Sequence, residues 1–279
     1  MIDGLVVVDK EPGWTSHDVV AKLRGRYRQK RVGHSGTLDP DATGVLLVGL
    51  GRVTRLLRYL TDLPKTYTGE VVLGAATSTL DSSGEVTGEW DMAGVELDAV
   101  RQATVALTGP ILQVPPMVSA LKVGGKRLHE LARAGIEVER EARPVTVHSF
   151  RVSATDEPLV FAIEVECSSG TYIRTLAADL GTSLGGGAHL RNLRRTAIGS
   201  FTIDQARPLE VLTEQHVLAP AEALRDYPSV EVDADGLVAV GFGRAIAGLA
   251  TGMVGLVDGE GRLVAVYEDG KPAVVLAPA

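Results

Sequence analysis

The sequence predicts an α+β protein with a central, mainly antiparallel sheet flanked by helices, followed by a small β-rich module. Three observations carry this. Strand-like and helix-like stretches are mixed without the regular βαβ order of a doubly wound fold. A chain of 279 residues can bury a sizeable core and hold one large domain or two. After about residue 225 the pattern changes to short Val/Leu/Ala strands separated by turns such as Asp258-Gly259-Glu260-Gly261.

In chain order, Leu5 to Val8 reads as a strand and Asp9-Lys10-Glu11-Pro12-Gly13 as a turn. Thr15, with Asp18 three residues on, forms a capping-box pattern. Val19, Val20, Leu23 and Tyr27 recur at helical spacing, which gives a helix with a buried stripe and a basic outer face. Val45 to Val48 is an apolar strand and Arg55 to Leu60 a short helix. Thr66 to Leu73 is a strand carrying Tyr67, followed by the polar loop from Ser78 to Gly84. Val100 to Leu107 is a helix closed by Gly109-Pro110. Gln113 to Met117 is extended, and Arg127 to Ala134 is helical. Val145 to Val152 and Leu159 to Cys167 are strands. Leu176, Leu180 and Leu184 mark one face of a helix that Gly185-Gly186-Gly187 ends.

Hydrophobic content of 45% and charged content of 23% are ordinary for a globular protein. No apolar run approaches the ~18 residues needed to span a membrane. The start, Met1-Ile2-Asp3-Gly4, lacks the basic stretch of a signal peptide. The single cysteine, Cys167, shares a face with Ile163 and Val165 and reads as a small core residue. One cysteine excludes an internal disulfide and suits a reducing, cytoplasmic setting.

The net charge of −7 argues at first against a nucleic-acid partner. Its distribution reverses that argument. Residues 1–203 hold 23 Lys and Arg against 23 Asp and Glu; residues 204–279 hold 5 against 12, so the whole excess lies in the last quarter. Lys22, Arg24, Arg26, Arg28, Lys30 and Arg31 fall within ten residues, with no acid between Asp18 and Asp39. Such a block neutralises phosphates or forms a solvated helix face; local sequence leaves both open.

This block leads into the loop from Val32 to Gly44, which holds glycines at 33, 36 and 44. These let the backbone turn tightly or approach a ligand. Pro40 pushes Asp39 toward an extended conformation. The loop presents Asp39 as a nucleophile or base. The alternative is a turn in which Asp39 and Asp41 bond local N–H groups.

Other motifs fail. Gly49 to Thr54 has threonine where a dinucleotide fingerprint needs its third glycine, and Arg127 replaces the Ser/Thr of a phosphate loop after Gly124-Gly125-Lys126. Six histidines and one cysteine lack zinc-ligand spacing. His34, Ser35 and Asp39 crowd too closely for a hydrolytic triad. A metal-dependent phosphatase, a glycosidase or a non-enzymatic RNA-binding module remain alternatives on these residues.

Four segments in order resemble the TruB family of tRNA pseudouridine-55 synthases. They are Gly33-His34-Ser35-Gly36-Thr37-Leu38-Asp39-Pro40-Asp41-Ala42-Thr43-Gly44; Lys65-Thr66-Tyr67; Gln113-Val114-Pro115-Pro116 with Ser119-Ala120-Leu121-Lys122 and Gly125-Lys126; and Gly170-Thr171-Tyr172-Ile173-Arg174, continuing to Gly187-Ala188-His189-Leu190 and Leu193-Arg194-Arg195. The resemblance spans about residue 2 to residue 210. His129 departs from the family, which often has tyrosine there.

The resemblance implies a pseudouridine synthase domain over residues 1–222, with an RNA-binding insertion at about 112–145, and a PUA-like domain over 226–279. It implies isomerisation of uridine 55 in the T-arm of tRNA, by flipping the base into a pocket. Asp39 would be the nucleophile, Arg174 its buried partner, and Tyr67 a stacking residue and late base. His34 would fill the gap left in the RNA stack, and Tyr172 and Leu193 would line the uracil pocket. Arg24, Arg26, Arg28, Lys122, Lys126, Arg127, Arg194 and Arg195 would contact phosphates. No metal or small-molecule cofactor is implied, and the protein is expected to act as a monomer.

Overall fold

The computed structural model describes residues 1–119, 121–123, 125–128, 131 and 134–276, with backbone alone at 122, 123, 126 and 127. The side chains of Lys122, Lys126 and Arg127, the residue His129, and much of the stretch expected to be helical from Arg127 to Ala134 therefore lie outside the described residues; Arg127 itself lies in a short strand rather than a helix.

The elements run β1 (Gly4–Lys10), α1 (Ser16–Arg26), β2 (Val32–Ser35), β3 (Thr43–Leu50), α2 (Leu57–Asp62), β4 (Lys65–Leu73), β5 (Ala75–Thr77), β6 (Val86–Glu89), α3 (Leu97–Ala106) and β7 (Gly109–Gln113). There follow β8 (Lys122–Val123), β9 (Lys126–Arg127), β10 (Arg143–Ala154), β11 (Val160–Cys167), α4 (Ile173–Ser183), β12 (Ala188–Ile198) and β13 (Phe201–Thr202). The last quarter holds β14 (Ser229–Glu231), α5 (Ala234–Gly241), β15 (Met253–Val257), β16 (Leu263–Glu268) and β17 (Lys271–Val275). Two compact units result: Met1–Pro40 with Gly44–Asp62 and Ile198–Ala279, and Asp41–Thr43 with Leu63–Ala197.

In the first unit β1 and β2 both pair antiparallel with β3, Gly4 and Val32 each opposite Leu50. The expected capping box opens α1: Asp18 N–H donates to Thr15 Oγ1, and Thr15 N–H donates to Asp18 Oδ2. Val19, Val20, Leu23 and Tyr27 then pack on Val6, Val8, Leu46 and Val48, with Trp14 at the margin. Fully burying each such aliphatic side chain is worth about 1.5–3 kcal/mol.

The acidic last quarter belongs to the same unit. β14 runs parallel to β15, and β15, β16 and β17 are successively antiparallel. Asp233 caps α5, and Val240, Val254, Leu256 and Tyr267 form a separate core. Side chains from residues 52–59 tie this sheet down. Arg55 donates to Val275 O, Arg52 to Leu276 O, and Arg58 and Tyr59 share the Glu268 carboxylate.

In the second unit the strand order is β12-β4-β11-β10-β7. The β4–β11, β10–β11 and β7–β10 ladders are antiparallel, and α3 lies against β10. Cys167 is buried opposite Lys65. Trp90 covers Gly187, where an added Cβ would fall 2.3 Å from the indole. Sheet and helices thus form the α+β architecture that the mixed patterning predicts.

Candidate active site

The loop holding Asp39 is fixed on both sides of that residue. Ser16, buried at the start of α1, accepts a hydrogen bond from Leu38 N–H at 2.9 Å and donates to Leu38 O at 3.2 Å. Pro40 O accepts from Gly13 N–H and from Lys10 Nζ, each at 2.9 Å. Lys10 is fully buried at the end of β1 and donates also to Glu11 O. Asp39, itself half-buried, is held between two anchored neighbours. Gly36 and Gly44 take positive φ, 77° and 99°, as a tightly turning loop requires. Gly33 instead lies in β2. His34, also on β2, meets the His17 ring edge to face at 5.2 Å.

A second set of groups gathers in the other unit. Arg174, 4% exposed in the first turn of α4, donates to Thr79 O and Val118 O, both at 2.8 Å. The Asp81 carboxylate stands 3.6 Å from the same guanidinium. Its other oxygen accepts from Thr79 Oγ1, Ser83 Oγ and Ser83 N–H. The polar loop after β5 is therefore folded around Asp81 and presents it to Arg174. Tyr172, at the N-cap of α4, has its main chain held by Gln113, the last residue of β7.

Tyr67 is buried on β4. Two residues along the same face, a Cβ on Gly69 would lie 3.6 Å from Leu193 Cα, so β12 approaches β4 closely beside Tyr67. Asn192, at φ 55°, and Arg191 anchor this stretch through Glu70, and Arg191 also grips Glu157. That guanidinium holds the Glu157 carboxyl below its usual range.

The expected phosphate-binding cations divide. Arg24 and Arg28 are exposed, although Arg24 also donates to Val32 O. Arg26 donates to Glu210 O and Leu212 O, so its guanidinium already serves the fold. Arg194 is half-buried and donates to Thr43 Oγ1 at 3.3 Å. Arg195 is 1% exposed. Its guanidinium is thus enclosed in this conformation, unlike the exposed Arg24 and Arg28. Among the described residues, no three His, Cys, Asp or Glu side chains gather as metal ligands do, and no helix is long and apolar enough to cross a membrane.

Comparison with known proteins places these groups in context. Residues 24–173 match the TruB family pseudouridylate synthase N-terminal domain, and residues 174–227 match the tRNA pseudouridylate synthase B C-terminal domain. The tRNA pseudouridine synthase B of Arthrobacter sp. (strain FB24) is 46% identical, over 100% of this chain and 98% of its own. That of Thermobifida fusca (strain YX) is 46% identical over 99% of each. A chain in the crystal structure of a Cbf5-Nop10-Gar1 complex superposes with a TM-score of 0.75 at 26% identity, over 99% of this chain and 84% of that one.

Fold and sequence together define an RNA-modifying enzyme of the pseudouridine synthase class. The chain belongs to the TruB family.

Proposed function

We propose that the chain isomerises uridine 55 in the T-arm of tRNA. The clamped loop carries this reading: Leu38 and Pro40 are tied to Ser16, Gly13 and Lys10, and Asp39 is left between them to present its carboxylate. The reaction breaks the N1–C1′ bond, forms C1′–C5, removes the C5 proton and protonates N1. It is redox-neutral and needs one internal nucleophile, for which Asp39 suffices.

A uridine within a folded arm must be flipped out, at a cost of a few kcal/mol. Phosphate binding by Arg24, Arg28 and Arg194 offsets that cost, together with that of Lys122, Lys126 and Arg127 in the insertion at about 112–145. His34 occupies the space the base leaves. Tyr67 stacks on the flipped base and takes part in the late proton transfer. Tyr172 and Leu193 line the base pocket, and Arg174 supplies a fixed positive charge. Residues 1–222 act as the catalytic domain and 226–279 as a PUA-like appendage, in a cytoplasmic monomer.

The test is incubation with an unmodified tRNA transcript and chemical mapping of pseudouridine. A single product at position 55 supports the reading. Product elsewhere, or none, refutes it.

A further inference from the structure

Gln113 closes β7 and is 2% exposed. A buried carboxamide needs partners for both its donor and its acceptor. Here both are found on one residue: Oε1 accepts from Tyr172 N–H at 2.7 Å, and Nε2 donates to Tyr172 O at 3.1 Å. The reverse orientation of the amide would set donor against donor, so the pairing fixes which end is which.

Tyr172 is the N-cap of α4, yet its side chain forms no cap. In a capping box the N-cap N–H is met by the residue three positions into the helix. That residue is Thr175, whose hydroxyl makes no such bond. Gln113 meets this N–H from another strand. Tyr172 O also accepts the first helical bond, from Leu176 N–H at 3.1 Å. The chain beyond Gln113 makes a second attachment, since Val118 O accepts from Arg174 Nη2. Residues 113–118 thus hold the 172–174 turn at two points, once by main chain and once by side chain.

We infer that Gln113 is a positioning residue for the isomerisation: its amide, bonded to both main-chain groups of Tyr172, sets where Tyr172 and Arg174 stand when RNA is bound. This rests on the proposed reading of Tyr172 and Arg174 as site residues. Other side chains fail in defined ways. Leucine supplies neither bond. Asparagine is one methylene short. Ionised glutamate accepts from the N–H but turns its second oxygen against Tyr172 O. Protonated glutamate restores both bonds, because one oxygen accepts and the O–H donates.

The test measures single-turnover pseudouridine formation on a T-arm stem-loop for wild type, Gln113→Glu, Gln113→Leu and Arg174→Met, with RNA affinity in parallel. Gln113→Leu should slow turnover by about 10- to 100-fold, as displacement of a reacting group by roughly 1 Å does, with RNA affinity within about twofold. Gln113→Glu should be slow at about pH 8 and recover at least about fivefold relative to wild type by about pH 5.5; burial shifts the transition upward. A loss that does not arise from these two bonds gives no such pH-dependent recovery, and urea unfolding at both pH values separates misplacement of the site from loss of fold. If Gln113→Leu does not fold, the pH ratio for Gln113→Glu decides alone. A Gln113→Glu rate equal to wild type at every pH, or reduced by a constant factor, overturns the inference. Normal turnover by Arg174→Met would instead sink the reading of the site on which it rests.

Discussion

Asp81 Oδ2 lies 3.6 Å from Arg174 Nη1, and the other Asp81 oxygen is committed to Thr79 and Ser83. Arg174 is therefore placed by a carboxylate and two carbonyls, at Thr79 and Val118. Lysine, a single point charge, does not span such a set. Asp81→Asn keeps the size but removes the counter-charge. The Asp81 side chain is 24% exposed, so the expected stability loss is moderate, about 1–3 kcal/mol. Turnover should fall with it while RNA affinity holds. Urea unfolding and single-turnover kinetics check both, and an unchanged rate would remove Asp81 from the site.

Asp39 and Lys10 should respond differently. Asp39→Asn removes the nucleophile and should abolish turnover without loss of RNA binding. Lys10→Met leaves Pro40 O with its bond from Gly13 N–H but without the ammonium. The loop is loosened rather than disarmed. We expect a rate lower by roughly 10- to 100-fold, not zero, with affinity nearly unchanged. Equal residual rates for the two variants would argue that Lys10 does more than anchor the loop.

The basic block separates into structural and solvent-facing members. Arg26→Ala abandons two carbonyls, at Glu210 and Leu212, and should lower stability by about 1–3 kcal/mol. Replacing Arg24 and Arg28 together should cost less, about 0.5–1.5 kcal/mol for the single bond from Arg24 to Val32 O. It should flatten the dependence of log affinity on log salt by about 0.7–0.9 for each phosphate no longer neutralised. An unchanged salt slope would mark these two as a solvated face.

Burial pushes the Cys167 thiol up to about 11 from an ordinary value of 9.0. Between those values the unfolded chain releases the proton while the folded one keeps it. The raised folded value therefore stabilises the fold below about pH 9, and the contribution is lost as pH rises toward 11. Its size is about 2–3 kcal/mol. Cys167→Ser should show a shallower alkaline decline in unfolding free energy than wild type. A thiol reagent at neutral pH should label Cys167 only after unfolding.

Local pattern revealed much of this molecule. The capping box at Thr15 and Asp18, the apolar stripe from Val19 to Tyr27, and the strand bearing Tyr67 each follow from residues close in sequence. What stayed hidden depends on distant partners. Lys10 looks like part of a polar turn, and its acceptor on Pro40 lies thirty residues on. Gln113 appears within a motif, but nothing nearby indicates that it bonds to residue 172. Asp81 sits in a serine-rich loop, and its arginine is far along the chain. Arg195 reads as a surface cation, and the carbonyls that exposed Arg26 meets go unnoticed, because helical and strand periodicity say nothing of groups arriving from elsewhere.

The chain contains two tryptophans, and the fold distributes them one to each unit. Trp14 borders the core beneath α1, while Trp90 lies over Gly187 and remains 43% exposed. Each indole is thus a resident optical reporter with its own surroundings: Trp14→Phe leaves emission from one unit, Trp90→Phe from the other. Coincident fluorescence transitions for the two variants during denaturation would identify a single cooperative melt; separated transitions would resolve two. Adding RNA to the same pair shows which reporter senses the substrate, with no dye attached.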